Sequence, residues 1–130
     1  MAKADTQKKV LLVDDDPLII RMYEHKLTQE GYKVVLAFDG EKAIIAAKEE
    51  KPDIILLDLM MPKMNGVDAL KFLRKEPDTK KIPVMILTNL GDDNRYVKLL
   101  DELGAEEYLV KAEISLKELA EKVAKHIGKK

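Results

Sequence analysis

Short apolar runs alternate with helix-length amphipathic stretches along the whole chain. The runs read as strands over Lys9–Val13, Lys33–Phe38, Ile54–Leu57, Ile82–Leu87 and Glu107–Val110. They are rich in Val, Ile and Leu with few polar interruptions, the pattern of parallel strands buried on both faces. Between them lie five helical stretches. Asp16-Pro17 opens the first, because Asp caps free amides and Pro suits the first helical position, and it ends near Gly31. The second spans Glu41–Glu50, the third about Val67–Lys75, and the fourth about Asp92–Leu103 with Gly104 as its stop. The last starts at a capping box, Ser115 with Glu118, and a staple, Ile114 with Leu119. Its Leu116, Leu119, Val123 and Ile127 share one face, as core packing requires. Strand–helix alternation of this kind predicts an α/β fold, a doubly wound parallel sheet with right-handed crossovers.

What stops the apolar runs is as informative as the runs. Asp14, Asp15 and Asp16 follow the first, Asp58 the third, Thr88 the fourth and Lys111 the fifth. Ligands of open α/β sheets bind beyond the carboxyl ends of the strands, so these side chains are expected to meet. Each has an ordinary explanation alone: a solvated turn, a strand-end hydroxyl, a surface lysine. Together they form a site for a divalent cation and a phosphoryl group. Crowded carboxylates need a counter-charge, and Mg²⁺ (or Mn²⁺) takes oxygen ligands while keeping waters open for phosphate. Asp14 and Asp15 are read as metal-binding and Asp16 as the helix cap. Asp58 is a carboxylate able to accept a phosphoryl group as an acyl phosphate. Lys111 offers a mobile point charge to a phosphate oxygen, and Thr88 a hydroxyl donor.

Composition narrows the field. Lys plus Arg (23) nearly balance Asp plus Glu (24), which excludes a general nucleic-acid binder built on basic excess. No apolar run is long enough to span a bilayer and no signal pattern opens the chain, so a cytoplasmic protein without membrane contact is expected. Cysteine is absent, which removes disulfides, thiol chemistry and thiolate metal sites. At 130 residues one domain is expected, with a flexible N-terminal segment over 1–8 and the folded domain over 9–128.

The segments VLLVDDDP (10–17), DIILLDLMMPKMNG (53–66), PVMILTN (83–89) and GAEEYLVK (104–111) resemble the receiver domain of two-component response regulators, in the manner of single-domain chemotaxis regulators. The resemblance implies a flavodoxin-like (βα)5 fold with five parallel strands in the order 2-1-3-4-5. It implies a phosphorylation-dependent switch that takes phosphate from a histidine kinase or phosphotransfer protein onto Asp58, with Mg²⁺. Asp14 (through water), Asp15, Asp58 and the main-chain carbonyl of Met60 would hold the metal, while Thr88 and Lys111 contact the phosphoryl group. Tyr108 matches the aromatic switch position on strand five. The face of helix four, strand five and helix five would then alter binding of a downstream protein target, with no direct nucleic-acid contact. Such a protein catalyses only its own phosphorylation and dephosphorylation and is not otherwise an enzyme.

The chain departs from the family pattern at two places. Ala112 follows the site lysine where Pro is usual, often through a cis bond, and Asn89 follows Thr88 where a small residue is common. The resemblance also implies that the residues two after the phosphoacceptor and two after the site threonine flank the path of attacking water; here they are Met60 and Leu90, both apolar, so slow loss of the phosphoryl group is expected. An aspartate-nucleophile phosphohydrolase of the haloacid-dehalogenase type is the enzyme alternative, since Asp14-x-Asp16 matches its first motif. Leu18 stands where that motif needs Thr, and turnover of a small phosphate ester would distinguish it. A receiver-like adaptor that is never phosphorylated is the binding-module alternative.

Overall fold

The computed structural model describes residues 7–61, 64–89 and 94–128, without the side chains of 94–96. Five strands, β1 (Lys9–Val13), β2 (Lys33–Ala37), β3 (Ile54–Leu57), β4 (Val84–Thr88) and β5 (Glu107–Val110), form one sheet in the order β2-β1-β3-β4-β5. All four pairings are parallel. Helices α1 (Pro17–Gln29), α2 (Gly40–Glu50), α3 (Gly66–Lys75), α4 (Asn94–Glu102) and α5 (Leu116–Ile127) connect them, and a 3₁₀ turn (Lys111–Glu113) separates β5 from α5. The sheet and order expected from the sequence are the ones found.

Two-residue periodicity in the strands divides the core into two layers. Leu11, Val13, Ile55, Leu57, Val84 and Ile86 point to one side and pack with Ala43 and Ala47 of α2, Leu70 and Leu73 of α3, and Leu100 of α4. Val10, Leu12, Ile54, Leu56, Met85 and Leu87 point to the other and meet Ile20 and Leu27 of α1, and Leu119 and Val123 of α5. β1, β3 and β4 thus lie between two helical layers, which explains their unbroken apolar runs.

The caps fall where local chemistry puts them. Asp16 Oδ1 accepts from the N–H groups of Leu18 (3.0 Å) and Ile19 (3.4 Å). Ser115 and Glu118 form the reciprocal box, at 3.0 and 2.9 Å. Asp39 and Asn65 cap α2 and α3 in the same way. Gly104, at φ 80°, ends α4 with its N–H on the Asp101 carbonyl at 2.9 Å.

Three strand boundaries differ from those the sequence predicts. β4 starts at Val84, not Ile82, because the Ile82 N–H turns back to the Thr79 carbonyl (3.1 Å) and Pro83 has no N–H to offer the ladder. It also runs one residue further, since Thr88 pairs with Val110. β2 stops at Ala37, ahead of a largely exposed Phe38 and the capping Asp39. The predicted start of the fourth helix at Asp92 lies outside the described residues, as do residues 1–6 of the predicted N-terminal segment. Residues 7 and 8 are tied down: Gln7 Nε2 donates to the Gly31 carbonyl (3.2 Å) and the Lys8 carbonyl accepts from Lys33 N–H (2.9 Å).

Candidate functional site

The carboxyl ends of β1, β3, β4 and β5 deliver the polar residues to one cavity of about 350 Å³. Its walls are Asp14, Asp15, Asp16, Ile19, Asp58, Met60, Thr88, Asn89 and Lys111. Backbone hydrogen bonds carry the strand geometry one residue past β1 and β3: Asp14 N–H reaches the Ala37 carbonyl (3.2 Å) and Asp58 N–H the Val13 carbonyl (3.0 Å). Both carboxylates are therefore held by the sheet itself, and both are buried, at 2% and 5% exposure. Asp15 is exposed at the rim.

Lys111 organises the interior. Its ammonium donates to Asp14 Oδ2 and, at 3.2 Å, to Asp58 Oδ2, with its side chain only 8% exposed. Burial alone would lower its proton affinity, but the hydrogen bonds and charges of Asp14 and Asp58 outweigh that and raise its pKa above the ordinary lysine value. A raised folded-state value means that the stability tied to the Lys111 proton is in place at neutral pH and is lost as pH rises through the raised value. The remaining oxygens are aimed too: Asp14 Oδ1 accepts from Asp16 N–H (2.9 Å) and Asp58 Oδ1 from Met60 N–H (3.4 Å).

Oxygens of Asp14, Asp15 and Asp58 lie within 4.8 Å of one another. Two ligands on opposite sides of Mg²⁺ stand about 4 Å apart, given bonds of roughly 2.0–2.1 Å. An all-oxygen, net anionic set at that spacing fits such a cation, directly or with a bridging water. Of the predicted ligands, Met60 lines the cavity with its side chain largely exposed. Thr88 is fully buried at the end of β4. The Lys111–Ala112 bond is trans, since the described residues contain no cis peptide. Leu90, paired with Met60 in the expectation about water, lies outside the described residues.

Tyr108 sits on β5 opposite Ile86 and is half-buried against the layer that contains α2, α3 and α4. It lines a larger cleft of about 590 Å³ formed by β5, the 3₁₀ turn and α5. That cleft is lined by Glu113, Glu118 and Glu121 and by none of Asp14, Asp15 and Asp58. One residue near the site escaped the sequence reading. Tyr23 on α1 is buried, and burial first, then Asp14 and Asp58, hold its phenol above the usual range against the opposing effect of Lys111. On sequence it is one more apolar-face residue. Gly66, whose place before the third helix suggests a backbone turn that no side chain would tolerate, is the first residue of α3, and close approach is what excludes a side chain there. A Cβ there would stand 2.3 Å from the Asp58 carbonyl oxygen and 2.7 Å from Leu59 Cα.

Residues 10–124 match the response regulator receiver domain family. The chain belongs to that family. The receiver is 42% identical over 119 residues to the probable transcriptional regulator ycf27 of Guillardia theta, covering 92% of this chain and 45% of that protein. It is 41% identical over 105 residues to the alkaline phosphatase synthesis transcriptional regulatory protein PhoP of Bacillus subtilis (strain 168), covering 80% and 42%. The chain thus spans under half the length of these relatives. Among solved structures, the receiver domain of the Francisella response regulator 1452 superposes with a TM-score of 0.83 at 33% identity, covering 93% of this chain and 97% of that one. Vibrio cholerae chemotaxis protein CheY4 superposes at 0.85 with 31% identity, covering 92% and 98%. This receiver is therefore a domain of two-component signalling, of the kind built as a phosphorylation-based switch. No helix among the described residues is long and apolar enough to cross a membrane.

Proposed function

We propose that this receiver accepts a phosphoryl group on Asp58 from a phosphohistidine and signals through the α4–β5–α5 face. The juxtaposition of a buried Asp58 with Lys111 and two further acids at one sheet edge carries the reading. A carboxylate oxygen of Asp58 attacks phosphorus, a P–O bond forms, and the P–N bond breaks with its electron pair leaving on the imidazole. Lys111 leaves Asp58 to follow the incoming phosphoryl oxygens, as a mobile ammonium on a flexible stem permits. Thr88 supplies its hydroxyl from the end of β4. Asp14, Asp15 and Asp58, with the Met60 carbonyl, would hold Mg²⁺, which when bound neutralises charge on the transferring oxygens. The protein turns over no separate substrate, and its nearly balanced charge suits contact with protein rather than nucleic acid.

The test is transfer from a phosphohistidine donor or acetyl phosphate, followed by mapping of the acyl phosphate. Labelling at Asp58 with Mg²⁺, and none with a chelator, is expected. An acyl phosphate mapped to another residue overturns the assignment. Metal binding has its own check: millimolar Mg²⁺ should shift the carboxyl resonances of Asp14, Asp15 and Asp58 in the unphosphorylated protein. Unchanged resonances would contradict it.

The output face has a separate expectation. A switch needs contacts that differ between its two states. A Thr88–phosphate contact supplies one, and Thr88 shares the β4–β5 ladder with Tyr108, through Thr88–Val110 and Ile86–Tyr108. Adding beryllofluoride with Mg²⁺ should change the Tyr108 ring environment and the amide shifts of β5 and α5. If these shifts stay the same while Asp58 binds the analogue, the coupling is absent.

A further inference from the structure

Asn89 and Ala112, separated by 23 residues in the chain, touch each other beside the site. Asn89 Oδ1 accepts a hydrogen bond from the Ala112 N–H at 3.1 Å. Ala112 is the second residue of the 3₁₀ turn that begins at Lys111. The leading N–H groups of such a turn have no partner within it and need an outside acceptor. Val110, at the capping position, makes no side-chain cap. Asn89 serves instead, reaching across from the end of β4.

The placement matters because both residues are next to site residues. Asn89 follows Thr88 and Ala112 follows Lys111, while Thr88 and Val110 are the last register pair between β4 and β5. The amide therefore extends the β4–β5 connection one step past the last backbone pairing. Asn89 also borders two cavities, the acidic one and a neighbour of about 420 Å³ that includes Tyr23, Lys111 and Ala112.

We propose that Asn89 is a positioning residue for phosphoryl transfer: it caps the turn that carries Lys111 and so fixes the ammonium relative to Asp58. This rests on the function proposed above. The contact needs an N–H at position 112, so the two residues form a matched pair. Proline at 112 would abolish the bond and make the Asn89 side chain irrelevant to the turn.

The experiment measures Mg²⁺-dependent labelling by acetyl phosphate, hydrogen exchange at the Ala112 amide and the Lys111 ammonium resonance. The proteins are wild type, Asn89→Ala, Asn89→Asp, Ala112→Pro and the Asn89→Ala, Ala112→Pro double variant. Asn89→Ala should expose the Ala112 amide to exchange, shift the Lys111 resonance and slow labelling by roughly fivefold, the loss of one net hydrogen bond. Asn89→Asp keeps an acceptor oxygen and should restore Ala112 protection. In the Ala112→Pro background, Asn89→Ala should have no further effect on labelling. An effect of equal size in both backgrounds, or an Ala112 amide that exchanges equally in wild type and Asn89→Ala, overturns the proposal. If Ala112→Pro does not fold, the Ala112 and Lys111 signals of the Ala and Asp variants decide alone. Absence of labelling in wild type would refute the phosphoryl-transfer function, whereas those two signals still report the contact.

Discussion

Asp58→Asn abolishes labelling by any phosphodonor and leaves the protein folded. The amide keeps the shape of the carboxylate but has no oxygen able to form an acyl phosphate, so the expected loss is complete. Stability should hold because the backbone of residue 58 is fixed by its N–H to the Val13 carbonyl at 3.0 Å, which the substitution leaves alone. The change also removes one of three clustered carboxylates, relieving repulsion, while Lys111 retains Asp14. Thermal melting of the variant should therefore match or exceed wild type, and Mg²⁺ should bind it more weakly. Intact-mass measurement after incubation with acetyl phosphate and Mg²⁺ reads the first point, and melting with and without Mg²⁺ the second. Labelling that survives would identify a different acceptor.

Parts of this molecule were legible in the sequence for a definite reason. β1, β3 and β4 are covered on both faces, so nearly every residue in them had to be apolar, and the first polar residue marked the carboxyl edge. Asp14, Asp58, Thr88 and Lys111 were visible as exceptions to a strong rule. The caps at Asp16 and Ser115 were visible because their partners lie two or three residues away.

What was not legible depends on contacts between distant segments. Arg74 looks like an ordinary basic residue in the last turn of α3, yet it donates to four carbonyls. Nε reaches Leu103 (2.8 Å), Nη2 Gly104 (3.1 Å), and Nη1 both Lys80 (3.1 Å) and Ile82 (2.8 Å). It thereby ties the end of α4 to the approach to β4, and it takes the Ile82 carbonyl, whose residue the sequence had assigned to the strand. The Asn89–Ala112 contact is of the same kind. Each residue was recognisable as a departure from the family pattern, but nothing in a linear reading says that one answers the other. The 3₁₀ turn at Lys111–Glu113 was missed because three residues are too few to show a period.

Gly66→Ala has the other large expected effect, and here two opposing terms must be compared. In a helix Ala is favoured over Gly by about 1 kcal/mol, so intrinsic propensity predicts stabilisation. The new Cβ, however, would lie 2.3 Å from the Asp58 carbonyl oxygen and 2.7 Å from Leu59 Cα. Both are backbone atoms and neither can rotate away, so α3 or the end of β3 must move. Overpacking that shifts backbone costs about 1–3 kcal/mol or more, and the clash should win, giving a net loss of stability. The piece displaced carries the Asp58 carboxylate, and a misplacement of about 1 Å at a reacting group costs on the order of a hundredfold in rate. Gly31→Ala is the control. Gly31 has φ 98° and nothing within 4 Å of its would-be Cβ, so that change strains the backbone far from the acids. Both variants should melt below wild type, but only Gly66→Ala should slow phosphorylation, measured as initial labelling rate at a temperature where both are folded. If Gly66→Ala melts with wild type and labels at the wild-type rate, then the approach of α3 to Asp58 is not what demands glycine.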